Sequence, residues 1–229
     1  CIRDSIYPMG NSVELCQVLS DKIGVDPKNM AFSNGSDEMI WMLATAFLNP
    51  GEKVLSSEHT FSEYKFCTQL LDGQYQNIPT KDYFFDLDGI LNAIDENTKM
   101  VFLCNPNNPT GNYLTAAKID DFLKQVPSHV LVVVDQAYVE YATASDYPQL
   151  ENQWERFPNL VLLRTFSKIY GLAGLRIGYA LASAECISAL FKVKQPFNVN
   201  LIAQKAAIAA LKDQEFVQRT IQVLSLIHI

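Results

Sequence analysis

The stretch Leu163-Arg-Thr-Phe-Ser-Lys-Ile-Tyr-Gly-Leu-Ala-Gly-Leu-Arg-Ile-Gly178 passes from an apolar run through a polar turn and back into apolar residues. Leu160 to Phe166 reads as a buried strand and Ile177 to Leu181 as another. Lys168 therefore falls where a strand runs into a turn. Thr165 and Ser167 lie just before it, and Arg176 follows eight residues later. Hydroxyls and a guanidinium suit a phosphate, and a lysine amine suits covalent capture of a carbonyl carbon. An isolated lysine after a strand is more often a solvated surface group, so the meaning of Lys168 depends on the rest of the chain.

Outward from this stretch, strand and helix patterns alternate. Met100 to Cys104 and Val130 to Val134 are continuous apolar runs, the mark of strands covered on both faces. Asn29 to Ser33, Lys53 to Ser56 and Tyr75 to Pro79 read as further strands. Helices are predicted over Asn11 to Gly24 (with Asn11 or Ser12 as cap), Ser36 to Leu48, Phe61 to Leu71, Asp88 to Ile94 and Thr115 to Gln125. Others follow at about Ser183 to Val193, Leu201 to Lys212 and from Gln214 onward. The succession predicts an α/β fold, a mostly parallel sheet with helices on both faces. Ligands of such folds bind at the carboxyl ends of the strands.

The 229 residues carry a net charge of -7, which argues against a nucleic-acid or anionic-membrane surface. The longest aliphatic run is too short to span a bilayer, and no signal-peptide pattern is visible. Cys1, Cys16, Cys67, Cys104 and Cys186 have neither metal-ligand nor redox spacing. They read as reduced thiols of a cytoplasmic protein. His59, His129 and His228 form no ligand pattern, and no metal site is expected.

Three more segments sit just after predicted strands. Asn34-Gly-Ser-Asp-Glu38 opens a helix. Its free N–H groups, with Gly35 allowing close approach, suit a phosphate, although Ser36 or Asp37 could merely cap the helix. Asn105-Pro-Asn-Asn-Pro-Thr-Gly111 is made of turn formers, yet is longer than a connection needs, and Asn108 could offer an amide to the crevice. Val132-Val-Val-Asp-Gln-Ala-Tyr138 ends an apolar strand in a carboxylate. Buried, Asp135 requires a cationic partner. An ordinary ion pair or helix cap would provide for it. So would the protonated ring nitrogen of pyridoxal phosphate, a cofactor held by a lysine such as Lys168. Tyr138 could bond that cofactor's phenolic oxygen or simply pack, and Phe61 could stack on its ring or belong to the core.

Taken together, NPNNPTG at 105–111, VVVDQAY at 132–138 and RTFSKIYGLAGLRIGY at 164–179 resemble the fold-type-I pyridoxal-phosphate aminotransferases, and among them the histidinol-phosphate aminotransferase family. The resemblance runs from about Tyr7 to Val223. It implies that Lys168 binds the cofactor covalently and that Asp135 pairs with the ring nitrogen. Asn108 and Tyr138 then bond the phenolic oxygen, and Phe61 stacks on the ring. The phosphate cup comprises the backbone at Gly35, Ser36 and Asp37, the side chains of Thr165, Ser167 and Arg176, and Tyr7 reaching from the other subunit of a homodimer. The resemblance also implies cis Asn-Pro bonds near 105–109.

The implied reaction moves an amino group from L-histidinol phosphate to 2-oxoglutarate, in histidine biosynthesis. Lys168 takes the proton from the substrate Cα and later returns it to the cofactor, while Asp135 sustains the ring as electron acceptor. An aromatic-amino-acid aminotransferase, a phosphothreonine decarboxylase and a non-catalytic cofactor-binding or dimerisation fragment are the competing readings. Complete members are longer, and the arginine that binds the substrate carboxylate lies in a small C-terminal domain with no counterpart here. Residues 7–223 are therefore expected to form the cofactor-binding large domain. Cys1 to Ser5 and Leu224 to Ile229 are expected to be non-native flanks.

Overall fold

The computed structural model describes residues 6–227. The Cys1 to Ser5 flank, His228 and Ile229 lie outside the described residues. Seven strands form one sheet: β1 (Met30–Ser33), β2 (Lys53–Ser57), β3 (Gln74–Ile78), β4 (Thr98–Cys104), β5 (Leu131–Asp135), β6 (Leu160–Thr165) and β7 (Gly178–Ala182). Their spatial order is β1-β7-β6-β5-β4-β2-β3. Parallel strands need long crossovers, and α2 (Ser36–Phe47), α3 (Glu63–Leu70), α4 (Leu87–Ala93) and α5 (Ala116–Gln125) supply them after β1, β2, β3 and β4. β7 alone runs against the direction of the other six strands, pairing antiparallel with β6 and β1. No α-helix separates it from β6, so the chain simply turns back. The segment carrying Lys168 and Arg176 is that return turn.

Every residue of β1, β5, β6 and β7 is buried, which requires cover on both faces of the sheet. α1 (Val13–Ile23) packs on α7 (Leu201–Lys212), and α2 packs on α6 (Ala184–Val193) as well as on β1, β6 and β7. α8 (Gln214–Ile227) closes the described chain. β3 forms one edge, where Gln74, Gln76 and Asn77 face solvent, a polar edge that discourages further strand pairing. Asp86, Thr115, Ser183 and Asn200 cap their helices with side-chain oxygens.

Some expected boundaries move. Neither Asn11 nor Ser12 caps α1 with its side chain: Ser12 holds the cap position with a left-handed backbone, φ 50°. Its carbonyl accepts the Cys16 N–H instead. β1 starts at Met30, because Pro27–Asn29 closes a short 3-10 turn capped by Asp26. Cys16, Cys67, Cys104 and Cys186 are free and buried. Among the described residues no helix is long and apolar enough to cross a membrane.

Register lines up the functional rim. Ser33 pairs with Gly178, and Gly178 with Thr165. Cys104 pairs with Asp135, and Asp135 with Leu163. Four strand ends, of β1, β4, β5 and β6, and the start of β7 thus open toward one crevice. Gly178 is where β7 passes beneath the start of α2. A Cβ there would stand 2.6 Å from the Ser36 nitrogen and 3.0 Å from the Arg164 carbonyl. Both neighbours are backbone and cannot swing away. Gly178→Ala is therefore expected to destabilise the protein by about 1–3 kcal/mol, read as a lower urea midpoint. An unchanged midpoint would show that α2 can lift off the rim freely.

Candidate active site

The crevice at this rim is a cavity of about 140 Å³. Ser36, Asp37, Phe61, Asn108, Asp135, Tyr138, Thr165, Ser167, Lys168 and Arg176 all line it, brought from five separate connections. Of the residues singled out in the sequence, only Gly35 and Tyr7 do not. Gly35 stands behind the wall, and Tyr7 lies elsewhere on the surface.

At one end, α2 points its N-terminus into the cavity. Its cap residue is Gly35, with φ 81° and no side chain to satisfy the first N–H groups. Those donors and the helix dipole favour an anion. A Cβ on Gly35 would lie 2.2 Å from Arg176 Nη2 and push the guanidinium out of its place, and the φ of 81° itself favours glycine. The expectation that Ser36 or Asp37 caps α2 does not hold. The Asp37 carboxylate instead accepts from Arg176 Nη2 at 2.7 Å. Arg176 Nη1 also reaches Ser167 Oγ at 3.4 Å and the Ala173 carbonyl at 3.3 Å. The guanidinium is thereby aimed across the mouth of the helix. Thr165 Oγ1 serves the turn itself, accepting from the Ser167 N–H and donating to the Ile177 carbonyl.

At the other end sits Asp135, the last residue of β5 and 3% exposed. No cation pairs with it among the described residues. Its oxygens accept from the Tyr64 hydroxyl at 2.7 Å and the Ala137 N–H at 3.0 Å. Burial pushes its pKa up, against these two hydrogen bonds that favour the ionised form. A buried carboxylate so placed, lining an open cavity, calls for a cationic ligand.

Between the two ends, Lys168 is exposed to the cavity, its Nζ 5.2 Å from the centre of the Tyr138 ring. Phe61 presents an aromatic wall. The three asparagines of 105–111 divide the work. Asn105 ties the loop to Leu114 through both side-chain atoms. Asn107 bonds the His59 carbonyl and the Thr60 hydroxyl, anchoring the segment that leads into Phe61. Asn108 turns to the cavity. The Asn105-Pro106 and Asn108-Pro109 bonds are both cis. Tyr7 is 76% exposed and stacks on Phe197 with ring centres 4.8 Å apart.

Three contributors escaped the sequence reading: Tyr64, Asn107 and Cys104. Cys104 lines the cavity, and its buried thiol is pushed up to about 12, chiefly by desolvation. Tyr64 lies three residues beyond Phe61, a spacing that puts both on one side of a helix start. Nothing local says that its hydroxyl ends on Asp135.

The residues fit a flat, phosphorylated, carbonyl-bearing heterocycle with a basic ring nitrogen. Donors for the phosphate lie at one end, an acid at the other, an amine between them and an aromatic wall at the side. Fold and rim together are those of the fold-type-I pyridoxal-phosphate transferases. The chain belongs to the family described as aminotransferase class I and II, whose sequence profile matches residues 4–226. The histidinol-phosphate aminotransferase of Moorella thermoacetica is 48% identical over 224 residues, covering 97% of this chain and 58% of that protein. That of Halalkalibacterium halodurans is 47% identical over 218 residues, 95% of this chain and 59% of its own length. The crystal structure of the Sinorhizobium meliloti histidinol-phosphate aminotransferase in complex with pyridoxal-5'-phosphate superposes with a TM-score of 0.89 at 32% identity, over 95% of this chain and 59% of that one. The chain thus spans less than two thirds of the length of these relatives.

Proposed function

We propose that the protein is a pyridoxal-phosphate-dependent aminotransferase acting on L-histidinol phosphate and 2-oxoglutarate, and that residues 7–223 are its cofactor-holding large domain. The observation that carries the chemistry is one cavity lined by an amine, Lys168, and by a buried carboxylate, Asp135, that no cation among the described residues pairs with. The substrate is argued from the two relatives of that name at 48% and 47% identity.

The residues divide the task by position. The first N–H groups of α2, Ser167 and Arg176 hold the phosphate. Thr165 braces the turn that presents them. Asp135 accepts the ring N–H and keeps that nitrogen protonated by opposite charge. Asn108 and Tyr138 bond the phenolic oxygen, and Phe61 covers one ring face. When bound, the cofactor supplies an aldehyde for the amine and a ring that accepts an electron pair. Lys168 Nζ would anchor it and, once the substrate amine has displaced that link, the freed lysine amine would take the proton from the substrate Cα and return it to the cofactor.

We further read the working unit as a cytoplasmic homodimer in which Tyr7 of one protomer completes the phosphate cup of its partner. Supporting this, Tyr7 stays largely exposed although it stacks on Phe197, and its neighbours in sequence Ile6, Met9 and Val13 are exposed too.

The substrate assignment is tested on the full-length protein by comparing kcat/KM for L-histidinol phosphate and for L-phenylalanine, with 2-oxoglutarate as acceptor. A preference for histidinol phosphate of about a hundredfold or more is expected, since an unpaired polar group in a site built to bind it is costly. A preference for phenylalanine would reject the assignment.

A further inference from the structure

We propose that Tyr64 is a positioning residue for the ring-nitrogen end of the site, fixing the Asp135 carboxylate through its hydroxyl and the Phe61 wall through its ring. The inference rests on the cofactor reading given above and deepens it. Tyr64 is 0% exposed. Its ring lies flat on Phe102, with centres 4.4 Å apart and 5° between planes. Phe102 belongs to β4, the strand beside the one that ends in Asp135. The Tyr64 ring also meets Phe61 edge-on, 5.6 Å away at 84°. One rigid side chain therefore touches both the aromatic wall and the carboxylate.

A phenol has one proton to donate, and here it goes to Asp135 Oδ2 at 2.7 Å. The Ala137 N–H holds Oδ1 at 3.0 Å. With both oxygens fixed, the carboxylate plane cannot rotate, and each oxygen keeps a lone pair for a further donor. The same two bonds favour the charged form against the desolvation that opposes it. Without the hydroxyl, Asp135 keeps a single anchor and holds a proton more readily. A protonated carboxyl accepts a ring N–H poorly. Tyr64 touches no reacting atom in this scheme. It acts only through Asp135 and Phe61.

Tyr64→Phe removes the hydroxyl and keeps the ring stacking. The test measures equilibrium affinity of the cofactor-free protein for two probes, pyridoxal phosphate and its 1-deaza analogue, in which carbon replaces the ring nitrogen. Both share the phosphate, the aldehyde and the ring face. The expected result is a loss of about tenfold for pyridoxal phosphate, the size of a hydrogen bond to a charged group, with affinity for the analogue unchanged within about twofold. A second readout needs no cofactor: the Asp135 carboxyl, followed by carbon NMR, should titrate at higher pH in Tyr64→Phe than in the unsubstituted protein. Equal losses for both probes would mark a packing effect and overturn the proposal. So would an unchanged affinity, or an Asp135 titration that does not move. If the unsubstituted protein binds neither probe, the cofactor reading fails, and this inference with it.

Discussion

Lys168→Ala is expected to lower turnover of the full-length protein roughly ten-thousand-fold or more, because one amine is lost from two duties, covalent anchoring and proton transfer. Among the described residues no other amine lines the cavity, and Arg176 is bonded to Asp37 and Ser167 and cannot act as a base. The substitution leaves the phosphate donors, Asp135 and Phe61 in place, so pyridoxal phosphate should still bind, though without its covalent link. Single-turnover measurement with an amine donor, alongside cofactor absorbance after gel filtration, separates the two losses. A variant turning over within tenfold of the parent would remove Lys168 from the chemistry.

Asp135→Asn should separate function from stability. Turnover is expected to fall on the order of a thousandfold, the scale seen when one preorganised charge facing the reacting group is removed. Stability of the cofactor-free protein should hold or rise. The carboxylate is buried with two hydrogen-bond donors and no cation among the described residues, so its charge works against folding until a ligand arrives. An asparagine oxygen can keep one of those donors.

The pH dependence follows from sign. The folded-state pKa of Asp135 is raised above the usual carboxylate value, with desolvation the leading cause. The folded protein therefore binds this proton more tightly than the unfolded chain. Its contribution to stability is fully present below the unfolded-state value and is lost as pH rises through the folded one. The variant lacks this loss, so its stability should fall less as pH rises above the ordinary carboxylate range. Urea melts at several pH values check this. A variant several kcal/mol less stable at neutral pH would show that the carboxylate is structural and not held for a ligand.

Much of the rim was legible before any coordinates. Lys168, Asp135 and Asn108 each follow an apolar run, and in a mostly parallel sheet the ends of such runs share one edge. Arg176 sits within the connection between two such runs. The glycine that opens α2 was legible for a similar reason: Gly35 precedes a helix in a segment otherwise rich in capping residues. Local pattern was a poorer guide to what each side chain does there. Asp37 could cap α2 by type, but an arginine brought 139 residues through the fold takes its carboxylate instead. Thr165 could face a phosphate by type, but its hydroxyl is used by its own turn.

The chain alone determined which chemical groups are present, and that the strands carrying them end in polar turns. Periodicity and turn composition are short-range properties, written in neighbouring residues. Only the folded molecule decided that β7 runs backward and that its glycine slides under α2. It alone placed the phenol of Tyr64 on a carboxylate 71 positions away. Those outcomes depend on strand order, register and packing between distant segments, where burial and steric fit choose among partners that local sequence leaves equivalent.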